Sequence, residues 1–348
     1  MKKWVLFIVI FALSALSAVE RSIWIDCRNS NWQEQAKEEL RKKPECRLLE
    51  LYLPGSGDVE LPERDFTRIS IDGWNDGYTF QLAKLGKYKL TELKLNGGTV
   101  GGWNTLVQPE LKVLKADSGY VDAAELAQAK LPELRKLVIY HIKGKVLDLR
   151  GMPKLEYLTF HSCDDGLQIL LHPDCKLKYL RLPKKTSHLL PELDLSHLEH
   201  LVTHESWESN AVRLPKLKEL TMLYWEKKMV ELPPLPELEE LLIYYGGEVS
   251  LANVKEQCPK LRELALWTVD NVYDWEALPQ LKLKRLWVQD IPGVKYTLPV
   301  AVPEGCRVDG LPSFIENPYK MWSAWSVAVM ALAAWTWWYQ RKRQQEEP

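Results

Sequence analysis

The phrase L-x-x-L-x-L recurs along this chain and constrains its fold more than any other feature. It stands in QPELKVLKA (108–116), LPELRKLVI (131–139), MPKLEYLTF (152–160), LPKLKELTM (214–222), LPELEELLI (235–243) and CPKLRELAL (258–266). Its first apolar place is assigned to Leu48, Phe66, Leu90, Leu111, Leu134, Leu155, Leu177, Leu198, Leu217, Leu238, Leu261 and Leu283, a step of about 21 residues. The last two apolar residues of the phrase are two positions apart, so they leave one strand on the same side. One coil cannot bury such a row alone, whereas stacked coils bury it against each other. The 348 residues therefore read as one elongated unit and not as two globules.

A weaker apolar pair recurs in the return paths, at Val59/Leu61, Val146/Leu149, Val212/Leu214, Val230/Leu232 and Val249/Leu251. These residues are expected to line the core from the side opposite the strands. Leu-Pro before many strands limits helix there, because proline restricts its predecessor and ends helices.

This pattern resembles the leucine-rich repeat family across about 240 residues. The resemblance implies an α/β repeat solenoid, a β-rich horseshoe of about 11–12 repeats with a parallel concave sheet. It also implies interaction rather than catalysis. The family often carries an Asn ladder after the strand. The matching places here hold Gly98, Gly119, Ile142, Cys163 and Lys185, so that ladder is absent.

The array needs caps. Ile23–Ile25 reads as a first strand, and Asn31 is placed to N-cap a helix over 32–43, so 19–47 forms the N-terminal cap ahead of the repeats at 48–295. Segments 121–130 and 251–257 also read as helical. Residues 296–320, with Pro299, Pro303 and Pro312, read as an irregular cap and stalk.

Both ends point to export and a membrane. Lys2 and Lys3, an apolar run from Trp4 and small residues at 15–18 form a signal peptide over 1–18. Segment 321–340 carries no charge, and its length matches the roughly 30 Å hydrocarbon core. Trp322, Trp325, Trp335, Trp337 and Trp338 suit the two interfaces of a single transmembrane helix. Arg341, Lys342 and Arg343 place the tail at 341–348 in the cytoplasm and the repeats outside it, in the periplasm or at the cell surface of a bacterial-type envelope. An apolar span followed by basic residues also fits a cleaved C-terminal sorting tail.

All six cysteines lie in the exported part, and an even count after a signal peptide permits disulfides. Cys27 and Cys46 flank the capping helix and form one candidate pair. Cys163 and Cys175 bracket a return loop and form another. Cys258 reads as a small buried hydrophobe.

Enzymatic chemistry finds no support. His200 and His204 are four residues apart on a strand, roughly 13 Å, too far to share a metal ion. His161 and His204 lie two coils apart. NGGTVGG (96–102) lacks the following helix and the Lys-Ser/Thr of a phosphate loop. Nucleophile-elbow, H-E-x-x-H and calcium-loop motifs do not occur. No cofactor is expected. With 46 basic and 47 acidic residues, net charge -1, a nucleic-acid partner is not expected either.

The repeat frame assigns an outward face. The third places of the phrase carry Tyr157, Tyr179 and His200 and then Glu219, Glu240 and Glu263. The fifth carry Leu242 and Trp287, and the seventh Tyr140, His161, His204, Leu223, Tyr244 and Trp267. Exposed aromatics on a rigid sheet mark interaction sites. These residues are expected to bind a macromolecule, a protein first and a glycan or cell-wall polymer second.

Overall fold

The computed structural model describes residues 22–29, 31–53, 59–73, 79–117, 119–184, 186–204, 212–223, 229–294 and 297–310. The expected signal peptide, the membrane segment 321–340 and the tail 341–348 lie outside the described residues. Among the described residues no helix is long and apolar enough to cross a membrane.

The alternation of buried and half-buried residues in each phrase produces one long parallel sheet. Its strands are β1 (Ser22–Asp26), β2 (Leu48–Leu53), β3 (Arg68–Gly73), β4 (Glu92–Asn96), β5 (Val113–Ala116), β6 (Lys136–Lys143) and β7 (Tyr157–Cys163). They continue with β8 (Tyr179–Arg181), β9 (His200–Thr203), β10 (Glu219–Leu223), β11 (Glu240–Tyr244), β12 (Glu263–Trp267), β13 (Arg285–Gln289) and β14 (Arg307–Asp309). Each strand pairs with the next along the chain, β1 through β14 in order. With few helices, this is a β-rich parallel solenoid.

Neighbouring coils are tied at the strand entrance. Lys218, Glu239, Arg262 and Lys284 each donate a backbone N–H to the preceding coil, at 2.7–2.8 Å. Opposite charges meet one coil apart on the outside, as in Lys154–Glu133 (2.6 Å), Lys218–Glu199 (2.8 Å) and Lys260–Glu237 (2.7 Å). Such exposed pairs contribute little to stability, because water and salt screen them.

The core is the stacked apolar row. Leu93, Leu114, Leu137, Leu158, Leu220 and Leu241 are all fully buried, beneath the open face of the sheet. Three short parallel pairs occupy return paths: Thr79–Gln81 with Thr99–Gly101, Val146–Leu149 with Gln168–Leu171, and Glu248–Ser250 with Asn271–Tyr273.

Several expectations shift in detail. The strand register pairs Leu48 with Arg68 and Arg68 with Glu92, so Leu48 is not the first apolar place of its coil. Cys46, two residues earlier and buried, fills that place. In the return path Leu147 is buried and Val146 is 43% exposed, which moves the inward pair to Leu147/Leu149. A local alternation of period two cannot itself say which of two adjacent apolar residues turns inward.

The capping helix α1 (Trp32–Lys42) forms, but Asn31 makes no side-chain cap; its Oδ1 accepts from Gln35 Nε2 at 3.0 Å. The other end is closed by Arg64, whose guanidinium donates to Leu40 O (3.1 Å) and Lys43 O (2.9 Å) and places a cation at the negative end of the helix. Segment 121–130 is helical only over α2 (Ala123–Leu126), where Asp122 caps the turn. Helix α3 (Leu251–Gln257) forms as expected, capped by Ser250. The C-terminal cap is less irregular than its prolines suggest, since it supplies β14.

The candidate disulfides are not formed: all six cysteines carry thiols. Cys46 Sγ donates to Leu48 O at 3.3 Å. Burial pushes the Cys27 thiol up to about 12. Cys175 is buried with its Sγ directed at Leu155 O, while Cys163 ends β7. Cys258 is buried as a small hydrophobe.

What replaces the missing Asn ladder changes along the chain. In the early coils, glycines let backbones touch: a Cβ on Gly97, at φ 80°, would lie 1.8 Å from Gly73 O. In β6 and β7 the strands run on, pairing Ile142 with Cys163. After β11, β12 and β13 the turn residues are Tyr245, Thr268 and Asp290, with φ of 63°, 55° and 52°. Tyr245 N donates to Trp267 O (2.9 Å) and Thr268 N to Gln289 O (2.8 Å), stacking the left-handed turns.

Candidate functional site

The expected outward columns align strand by strand. Tyr157, Tyr179, His200, Glu219, Glu240, Glu263 and Arg285 are successive register partners. The candidate residues nevertheless divide into two groups.

The first group spans β6–β10. Tyr157 and Tyr179 stack at 3.9 Å between centroids and 10° between planes. Lys136 Nζ lies 3.9 Å from the centre of the Tyr157 ring, closing one end of the stack. His200 continues it from Tyr179 at 6.1 Å, and its Nδ1 meets Glu219 Oε2 at 2.7 Å. Burial and the neighbouring Tyr157 push the Tyr179 hydroxyl up to about 12. Beside this column Tyr140, 53% exposed, stacks on His161 at 5.8 Å. His204, half-buried, is held down to about 4 by burial first and then by Arg181, Lys184 and His161. Burial and Arg181 likewise lower His161. Thr159 Oγ1 and Arg181 Nε, on paired positions between these histidines, are buried without a hydrogen-bond partner among the described residues.

The second group spans β11–β13. Tyr244 and Trp267 lie 5.6 Å apart at 44°, and Trp267 and Trp287 lie 6.4 Å apart at 21°. Trp287 stands in the fifth column and Trp267 in the seventh, so their rings are staggered. Between Leu242 and Trp287 the fifth column holds Ala265, whose short side chain leaves a hollow. The result is a cavity of about 230 Å³. Leu242 lines it, while Leu223 lies beside Tyr244 in the register.

The closing strand lies behind Trp287, the last residue to line the cavity. A Cβ on Gly310 would fall 2.6 Å from Trp287 Nε1, so glycine there lets the indole seat against the chain. Asp309 Oδ2 accepts from Arg285 Nε at 3.0 Å and draws that guanidinium toward β14. The left-handed turn residues follow Tyr244, Trp267 and Gln289 directly. Such backbone costs about 1–3 kcal/mol per residue and persists only where the surroundings impose it.

Sequence reasoning missed Ala265, Gly310 and Asp309, because a hollow is a property of neighbours in space. It also missed an outward cluster at the other end. Trp24, 48% exposed, packs on Tyr52 at 5.3 Å, and the Arg28 guanidinium lies 5.6 Å from that ring. These residues lie in the cap and first coil, ahead of the coils from which the outward columns were read.

Among the described residues no group of three His, Cys, Asp or Glu is placed to hold a metal ion. The class defined at this point is a parallel β-rich solenoid with an open, partly aromatic sheet face. No family model matches the chain, and no curated protein matches it either.

Proposed function

We propose that this chain is a leucine-rich-repeat-type recognition protein. It is exported, held by a single C-terminal transmembrane helix with a cytoplasmic tail, and not an enzyme. Its horseshoe would present the sheet as a concave face that binds another macromolecule, most readily a protein. The observation that carries this reading is the staggered group Tyr244, Trp267 and Trp287 around an open hollow, since rigid aromatic anchors dominate binding energy at protein interfaces.

The test uses the full chain in mild detergent. Cross-linking in the producing cells should capture a partner that Y244A/W267A/W287A loses, with circular dichroism and melting temperature nearly unchanged. Retention of that partner by the folded triple variant overturns the reading. Release by soluble cell-wall glycan would replace a protein partner with a polymer.

A further inference from the structure

The chemistry of the hollow on β11–β13 points to the group it receives. At about 230 Å³ it is smaller than the roughly 300–1,000 Å³ pockets that enclose a whole drug-sized ligand, so it suits one long side chain. Tyr244, Trp267 and Trp287 are among the residues that line it. Ring faces attract cations through their quadrupole, tryptophan most strongly.

Its rim holds two acids, Glu240 and Glu263, and one base, Arg285, so acid is in excess. Glu240 and Glu263 line the cavity as register partners one strand apart. Glu219, the third acid of the column, has His200 at 2.7 Å. Arg285 lines the cavity with its guanidinium 5.7 Å from the centre of the Trp287 ring, and its ion pair is with Asp309 at 3.0 Å and not with either glutamate. That leaves Glu240 and Glu263 without an ion pair or hydrogen bond among the described residues. Both are half-buried. Burial, together with Glu219 and Glu263, holds the Glu240 carboxyl above the usual carboxylate range. An arriving cation would relieve this repulsion.

We propose that the hollow receives a lysine or arginine side chain from a basic segment of the partner protein, with the charged head between Glu240 and Glu263 and the stem along Trp267, Trp287 and Tyr244. The assignment follows from charge complementarity. An acidic side chain would meet two carboxylates. A neutral sugar could stack on the indoles but would leave both acids uncompensated. This inference deepens the recognition reading above and rests on it.

The test titrates the full chain in detergent with hexalysine and hexaarginine, following tryptophan fluorescence and heat. Hexaglutamate and chitohexaose serve as controls. The basic peptides should bind and weaken with salt, and the controls should not bind. E240Q/E263Q, which preserves shape, should lose about tenfold in affinity, and W267A/W287A at least as much. Glu50→Gln, on β2 far from the hollow, should change nothing. Equal affinity in E240Q/E263Q, or chitohexaose binding that the glutamates do not affect, overturns the proposal. The cellular partner separates the two readings. If the aromatic triple variant loses it while E240Q/E263Q keeps it, recognition by this face stands and the cationic occupant falls. If neither variant loses it, both readings fall.

Discussion

The stretch β6–β10 and the stretch β11–β13 use the same coil geometry and reach opposite results. In the first, like residues occupy one column. Tyr157 and Tyr179 stack flat at 3.9 Å, Lys136 covers one end, and His200 with Glu219 finishes the other. In the second, Tyr244 and Trp267 share a column but tilt by 44°, Trp287 stands in the next column, Ala265 leaves a gap, and two carboxylates have no ion pair among the described residues. Strand spacing of about 4.8 Å suits flat stacking of planar groups in register. The tilt of Tyr244 against Trp267 and the offset of Trp287 into the next column prevent that closure. A repeat thus becomes a filled surface or an open one through the choice of a few outward residues, with no change in the core.

The largest expected effect should be shared by both regions. Leu158→Ala under the closed stack and Leu264→Ala under the open hollow each remove a buried leucine. Each should cost about 2–5 kcal/mol in denaturant unfolding. A marked difference between them would mean that the two regions differ in their cores and not only on their faces.

Gly310→Ala should act on the open region alone. It forces a Cβ against Trp287 Nε1 at φ 80°, with an expected cost of about 1–3 kcal/mol. The near-ultraviolet circular dichroism of tryptophan should change with it. Unchanged spectra would show that β14 does not seat the indole.

Acid should weaken the closed region first. Folded His204 titrates at about 4, against 6.5 for an ordinary histidine, so the unfolded chain binds the extra proton between these values. Stability is therefore full above pH 6.5 and falls toward pH 4, by about 1–2 kcal/mol after allowing for partial exposure. His204→Gln should flatten the upper part of this slope in urea titrations run from pH 7 to 5. An unchanged slope would assign the acid sensitivity to other groups.

Double-mutant cycles give a smaller and sharper comparison. Tyr157 with Tyr179 should couple by about 0.5–1.5 kcal/mol. Tyr244 with Trp267, tilted at 44°, should couple less. Equal couplings would erase the distinction between closed and open faces. The smallest effect on stability belongs to Ala265→Leu, within about 0.5 kcal/mol for a substitution on the open face. That change should nonetheless fill the hollow and lower hexalysine affinity. Unaltered affinity would place peptide binding elsewhere.

Much of the solenoid was readable before any coordinates. Period two within the phrase and the regular step between phrases dictate which residues share a column, and the observed pairing follows those columns from Glu92 to Arg285. Misreadings arose where the local pattern is ambiguous. Cys46 and Leu48 are apolar residues two positions apart at the entrance to β2, and Val146 and Leu147 are adjacent apolar residues. The Asn31 cap failed because side-chain hydrogen bonds depend on the exact approach of the turn.

The sequence by itself determined the parallel coils, the buried leucine row and the membership of each outward column, because these depend only on spacing along the chain. It also singled out most of the aromatic candidates. Tertiary structure alone decided that Tyr157 and Tyr179 close on each other while Trp267 and Trp287 enclose a space. It alone placed Gly310 behind an indole and Asp309 beside Arg285. Ring separation, a hollow above a small residue and an unanswered charge are relations across coils about 20 residues apart, and their size depends on angles and offsets of an ångström or two that no one-dimensional pattern encodes.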